Sequence, residues 1–496
     1  MFKSGALFQN LVSHAITKID RAHIRQSVAK YFKWVMFSHT WEGKEPTFKD
    51  LNLVHSVWEL DESPLNDKLR QFCKMVREDG YGWAWSDTCC IDKDTSTILS
   101  QSLTSMYRWY EEAAETLVYL ADVMSLSKLG ALTKSRWMTR AWTLQELLAS
   151  RSIRFYDREW KPYLNDTHAN HKESPVIKQE LAHAMGVVPE TITSFRPEDL
   201  GVREKLRLAS TRNATVEEDI AYSLIGIFSS DIVPRYGLGK LALGHLLENI
   251  LAHSGDVTVV AWTGKSLPYN SALPHSLAVY SKIPYSSPSM GVHELDTRVE
   301  QLCTRLAPQD VTAFYNQVTL LPRATFSNRC LQLPCIVFSV RRIGVQELDR
   351  SQGDLYRAKV SLLGRVEFRT ADTMPLKYPR KLVFVHPWLH NLRDPLDGFV
   401  PDDEQETESD AGSGDSTDEA SAPASPLNAE PSARADTSTR ALRMIARLGC
   451  PFNALLLEQQ SNGQFKRVAA EHEIIVPGVP SETNPKDIRA MVLEIV

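Results

Sequence analysis

Trp34-Val35-Met36-Phe37-Ser38-His39-Thr40-Trp41 is a short apolar run that breaks into polar residues, and it decides how the following hundred residues are read. It predicts a strand ending at Ser38-His39. Working outward, Leu65, Leu69, Phe72, Cys73 and Val76 keep helical spacing until Asp79-Gly80 stops the run. Tyr81 to Ser86 reads as a second, aromatic strand closed by Asp87-Thr88-Cys89-Cys90-Ile91-Asp92. Leu103, Met106, Tyr107 and Tyr110 then mark a helix, Thr116 to Leu120 a third strand ending near Asp122, and Ile153 to Tyr156 a fourth. Near-continuously apolar strands separated by helical segments predict an α/β domain over residues 31–160, with a parallel sheet covered on both faces. In such sheets ligands sit beyond the carboxyl ends of the strands, where Ser38, His39, Asp87 and Asp122 fall. Each of these residues, taken singly, also has the commoner reading of a cap at a strand-to-helix turn.

Between the third and fourth strands lies Arg136-Trp137-Met138-Thr139-Arg140-Ala141-Trp142-Thr143-Leu144-Gln145-Glu146-Leu147-Leu148. Thr139 reads as an N-cap, after which Ala141, Leu144 and Leu148 form one aliphatic stripe at helical spacing. Trp142 and Glu146, an i,i+4 pair, fall nearly opposite that stripe. Two explanations are open: a pocket wall, or packing in which Glu146 pairs with Arg136 or Arg140. Local evidence alone favours packing, because tryptophan is usually well buried and a neighbouring glutamate is often an arginine's partner.

The 496 residues suffice for several domains, and 43% hydrophobic with 24% charged residues is ordinary globular composition. A net charge of −5 gives no reason to expect nucleic acid or an anionic membrane as partner. No window reaches eighteen apolar residues and the N-terminus lacks a continuous apolar core, so neither a membrane span nor a secretory signal is expected. The 7 cysteines are odd in number and scattered, which reads as reduced, cytoplasmic usage. No CxxC pair occurs, so no metal is expected.

Residues 161–265 read as a helical continuation, with a polar connection, a helix at Glu180 to Met185 and an apolar centre at Ala221 to Phe228. Val257 to Trp262 reads as a strand. From about 270 the texture changes: Val311 to Leu321, Cys335 to Val340, Ala358 to Phe368 and Leu382 to Val385 are β-favouring runs. Residues 396–440, rich in Asp, Glu, Ser, Ala and Pro, read as a disordered acidic linker inserted in a β-rich domain of residues 270–395 and 441–496. Near the end, Asn453 to Glu458 and Gln464 to Val468 flank Ser461-Asn462-Gly463 as a hairpin. Residues 1–30 are an N-terminal extension.

Other motifs are weaker. Gly237-Leu238-Gly239-Lys240 fails the spacing of a phosphate loop. Ser38-His39 as nucleophile and base lacks the geometry for a triad, and Cys89 with His39 has the simpler reading of a buried, inert thiol.

Four motifs in order, Phe37-Ser38-His39-Thr40-Trp41, Trp85-Ser86-Asp87-Thr88-Cys89-Cys90-Ile91-Asp92, Met106-Tyr107-Arg108-Trp109-Tyr110 and Arg140 to Leu148, resemble the heterokaryon incompatibility (HET) domain of filamentous fungi. Ser210 to Leu224 and Pro234-Arg235-Tyr236-Gly237-Leu238-Gly239 resemble the segment that commonly follows it, with Leu238 where the family often has an acidic residue. The resemblance implies a cytoplasmic effector of non-self recognition or innate defence that ends in cell death. Its implied partners are a second copy, through self-association of the domain, and a sensor protein. The HET domain is itself similar to Toll/interleukin-1 receptor (TIR) domains, which implies a flavodoxin-like sheet. Many plant TIR domains carry W-C-L-x-E-L, whose glutamate cleaves NAD; Trp142, Leu144, Glu146 and Leu147 match it, with Thr143 in the cysteine position. The resemblance therefore implies NAD as substrate with no cofactor required, Glu146 as the catalytic residue, and Ser38, His39, Asp87, Arg140 and Trp142 as the residues that bind the dinucleotide. The alternative is a non-enzymatic signalling adaptor in which the same motifs are core.

Overall fold

The computed structural model describes residues 24–25, 28, 31–125, 128–347, 354–370, 381–388 and 431–496. The extension at 1–30, three isolated residues apart, and the acidic stretch 396–430 lie outside the described residues. The chain divides into two compact units, Met1–Leu246 and Leu247–Val496.

The first unit is built on a parallel sheet of β1 (Trp34–His39), β2 (Trp83–Ser86), β3 (Glu115–Tyr119) and β4 (Ile153–Tyr156), in the order β2-β1-β3-β4. Between them run α1 (Pro64–Glu78), α2 (Ser96–Glu112), α3 (Arg136–Thr139) and α4 (Trp142–Ala149). α1 starts where Ser63 accepts from the Asn66 amide with Pro64 in the first turn, and stops at Asp79 before Gly80, whose φ of +82° suits glycine. Strand alternation sends Val35, Phe37 and His39 to one face of β1. There Phe37 stacks on Phe72 of α1 with ring centroids 4.4 Å apart, in a cluster with Leu69, Val76, Leu117 and Tyr119. Truncating Phe72 would cost about 3–5 kcal/mol. Met36 and Ser38 point to the opposite face, where α4 packs against β1 and α2.

Downstream come α5 (Pro175–Met185), α6 (Val202–Ala209) and α7 (Asp219–Tyr222). The apolar run to Phe228 leaves the helix after Tyr222 and continues as turns, with Leu224, Ile225 and Ile227 buried. Gly226 lies so close to α2 that a Cβ there would sit 2.1 Å from that of Tyr107. This contact holds the segment against the sheet's helical layer.

The second unit contains α8 (Val292–Arg305), α9 (Pro308–Thr319), β5 (Cys330–Glu347), β6 (Leu355–Val360), β7 (Gly364–Arg369), β8 (Leu382–Pro387), α10 (Pro431–Leu448), β9 (Phe452–Gln459), β10 (Phe465–Val468) and β11 (Arg489–Ile495). The strands follow the order β7-β6-β5-β8-β9-β10-β11, and β11 also pairs with β5, so that five strands pair in a ring. All three helices contribute to one core with the sheet, through residues such as Leu302, Phe314, Phe338, Phe384 and Met444. The hairpin β9–β10 turns at Gly463, with φ of +90°, as its sequence predicts.

Three expectations are corrected here. Val311 to Leu321 is helical, because Pro308 opens a helix and Val311, Phe314 and Val318 bury one face at helical spacing. Val257 to Trp262 is a 3₁₀ helix over Val257–Val260, capped by Asp256, whose side chain accepts from the Thr258 amide. The end of the expected linker, residues 431–440, belongs to α10, whose buried Ala441, Leu442 and Ile445 anchor it to the core. No helix among the described residues is long and apolar enough to cross a membrane.

Candidate functional site

Beyond the carboxyl ends of β1 and β2, the first unit contains a cavity of about 650 Å³, within the range of small-molecule sites. Its walls come from five places in the chain: His39–Trp41, Asp87 to Lys93, the apolar face of α2 at Leu99, Leu103 and Met106, Arg136 to Glu146, and Asn213 to Tyr236. Of the residues singled out from the sequence, His39, Asp87, Arg140, Trp142 and Glu146 line it, and Ser38 hydrogen-bonds to Glu146 from behind.

Thr139 is not the expected N-cap: it is the last residue of a separate short helix, α3, and α4 begins only at Trp142. Ser135 caps α3 by accepting from the Trp137 amide, and Thr139 donates its hydroxyl to the Arg136 carbonyl inside that turn. Arg140 is extended (φ −78°, ψ 142°) and bridges to Asn213; the Ala141 amide donates to the Asn213 carbonyl at 2.8 Å, and the Asn213 amide to the Thr139 carbonyl at 2.7 Å. A distant segment thus satisfies the backbone at the break, which no local propensity foretells. α4 restarts with Trp142 and Glu146 on the cavity side and Ala141, Leu144 and Leu148 buried.

Glu146 is buried, only 7% exposed. Ser38 donates to its Oε2, and Trp137 Nε1 donates to Ser38 Oγ at 2.7 Å, so indole, hydroxyl and carboxylate form a chain. Burial pushes the Glu146 carboxyl up to about 7, Asp87 adding to the rise, while the Ser38 hydrogen bond and the charges of Arg140 and Arg212 oppose it. Arg136, one of the two ion-pair partners considered for Glu146, is drawn instead to Glu42 at 3.0 Å and Asp122 at 3.7 Å. Arg212 is buried and holds the helix break, donating to the Arg140 carbonyl at 3.0 Å and Thr143 Oγ1 at 2.9 Å.

Across the cavity Tyr236 donates to Asp219 at 2.8 Å, and Trp142 also hydrogen-bonds Asp219, whose carboxyl burial raises. At the mouth Trp41 donates through Nε1 to Asp87 at 2.9 Å. His39 looks away from Ser38, to Glu45 at 2.8 Å, and Glu45 also binds Lys68 at 2.6 Å. Ser38 and His39 therefore do not form a nucleophile–base pair. Cys89 is buried and its thiol is pushed far up by its contact with Cys90 and by burial, so it is poorly suited to attack. Asp122 caps α3, accepting from Ser135 Oγ and the Arg136 amide. The loop at Gly237 and Gly239 already holds an anion of its own, since both amides donate to Glu218.

Lys93, Asp219 and Tyr236 were not singled out as site residues from the sequence. Asp219 and Tyr236 lie in the two downstream segments whose resemblance is stated above, so the signal was present without its role. Lys93 follows directly on the second motif.

Residues 34–130 match the family described as "Heterokaryon incompatibility protein (HET)". A 228-residue stretch, 44% of the chain, is 36% identical to the vegetative incompatibility protein HET-E-1 of Podospora anserina, of which it covers 16%. No solved structure matches the chain.

Proposed function

We propose that this chain, which carries a heterokaryon incompatibility domain at residues 34–130, acts in vegetative incompatibility and does so by cleaving the nicotinamide–ribose bond of NAD. The observation that supports this most is Glu146: a buried carboxylate whose hydrogen-bond partners, the hydroxyls of Ser38 and Tyr110, are both neutral, facing a cavity lined by tryptophans and cations. The sheet order β2-β1-β3-β4 agrees with the first four strands of the flavodoxin-like order, which supports reading the domain as TIR-like.

The chemistry follows from the charge. The bond to break joins the ribose C1′ to a cationic nicotinamide nitrogen; its electron pair leaves with the ring, which departs neutral and needs no general acid. Positive charge then spreads over C1′ and the ring oxygen, and an ionised Glu146, itself buried, stabilises it. Water adds to C1′, and its proton passes to a carboxylate whose affinity for it is already raised. Trp142, held by Asp219, offers an aromatic wall beside Glu146. Arriving positive charge favours the ionised form, so substrate binding lowers the carboxyl's pKa and turns the group on.

Nicotinamide release by the purified chain at high concentration, with Glu146→Ala alongside, tests the reading. Turnover in the wild type and none in the variant is expected, together with loss of toxicity in cells. No turnover, with toxicity retained by Glu146→Ala, would contradict the enzymatic reading and leave the domain as an adaptor that self-associates or binds a sensor.

A further inference from the structure

Three cations line the cavity, and among the described residues only Arg136 has a carboxylate within ion-pair distance. Lys93 and Arg140 instead share the indole of Trp41: the Lys93 ammonium lies 3.6 Å from the ring centroid and the Arg140 guanidinium carbon 5.6 Å. The ring is fixed by its hydrogen bond to Asp87, whose negative charge also acts on Lys93 from beyond ion-pair distance. Trp41 is nonetheless 44% exposed, an apolar surface left open at the entrance.

A cation over an aromatic face is held weakly compared with a cation on an oxyanion, and two like charges gathered at one concave rim repel. An anion placed between them relieves both. Lysine supplies a point charge and arginine a planar fork, and they come from separate chain segments on the cavity wall. Such a pair suits an anion with two centres better than a single phosphate. Glu146 and Asp219, also on the cavity wall, would repel a phosphate and suit hydroxyls.

We infer that Lys93, Arg140 and Trp41 form a diphosphate subsite, so that the cavity takes ligands built on a nucleoside diphosphate and discriminates against the bare nucleoside. The inference deepens the proposed NAD reading by assigning Lys93, a residue outside the motif carrying Glu146, to the linker between the two nucleosides.

Calorimetric titration of the full chain with ADP, adenosine and inorganic pyrophosphate tests it without any turnover. ADP is expected to bind at least about tenfold more tightly than adenosine, and more tightly than pyrophosphate, with an affinity that falls as salt rises. Lys93→Gln should weaken ADP about tenfold and leave adenosine unchanged, and Lys93→Arg should restore most of the loss. Equal ADP affinity in the wild type and Lys93→Gln would overturn the subsite; pyrophosphate binding as tightly as ADP would overturn the nucleotide as its occupant. ADP lacks the scissile bond, so tight, Lys93-dependent binding without nicotinamide release would sink the catalytic reading and leave this one standing. Turnover of NAD with Lys93-independent ADP binding would do the reverse.

Discussion

Strand β1 holds a buried glutamate on each of its faces, and the two are treated in opposite ways. On one face Glu45 meets His39 at 2.8 Å, Lys68 at 2.6 Å and the Glu42 amide at 2.9 Å. Burial opposes its ionisation more than any other single influence, yet His39 and Lys68 together outweigh burial and hold the carboxyl down to about 2. On the other face Glu146 has the hydroxyls of Ser38 and Tyr110 as hydrogen-bond partners, and burial lifts it to about 7. Residues one position apart on the same strand, Ser38 and His39, decide the difference, because alternation points them to opposite sides. A fully paired buried carboxylate stabilises the structure. One left short of cations keeps its capacity to act on a cation that arrives from outside.

The contrast can be broken most sharply through activity. Glu146→Gln should lower nicotinamide release about 1000-fold, roughly 4 kcal/mol of transition-state stabilisation, while a thermal melt shows the fold intact. Glu45→Gln should do the opposite kind of damage, leaving Lys68 buried without its charge partner and costing about 3 kcal/mol in a urea titration.

A pH series sharpens the comparison further. The folded pKa of Glu146 lies above its unfolded value, so its contribution to stability is full below about pH 4.5 and is lost as pH rises to 7 and beyond. Relative to Glu146→Gln, the wild type should lose roughly 2 kcal/mol between pH 5 and 8. Glu45 has a depressed folded pKa, so its contribution is present above about pH 4.5 and is lost as pH falls towards 2. The smallest effect expected is that of Ser38→Ala. Removing the hydrogen bond that favours the ionised form should move the rising limb of kcat/KM against pH about one unit higher.

Much of this arrangement was legible in the chain because it is written in short-range patterns. The four strands are continuous apolar runs, and the strand ends carry Ser38, His39 and Asp87 where a parallel sheet gathers its ligands. Trp142 and Glu146 lie on one helical face opposite Leu144 and Leu148, and that face does look into a cavity, which Ala141, expected on the aliphatic stripe, also lines from just before the helix. What could not be read was set by partners far away in sequence. The interruption at Arg140 exists because Asn213 bonds to both sides of it, and Asp219 and Tyr236 reach the cavity only through the fold. Val311 to Leu321 misled for a local reason. Its β-branched residues suggested a strand, while burial of Val311, Phe314 and Val318 on one face favoured the helix.

The account stands on the state of one carboxyl group. Carbon-13 NMR titration of the Glu146 side-chain carboxyl in the full chain, assigned by its absence in Glu146→Gln, measures that state. A midpoint near 7 in the free protein, moving lower when a non-hydrolysable NAD analogue that keeps the cationic nicotinamide is bound, is the predicted result. A midpoint near 4 that ignores NAD would contradict it.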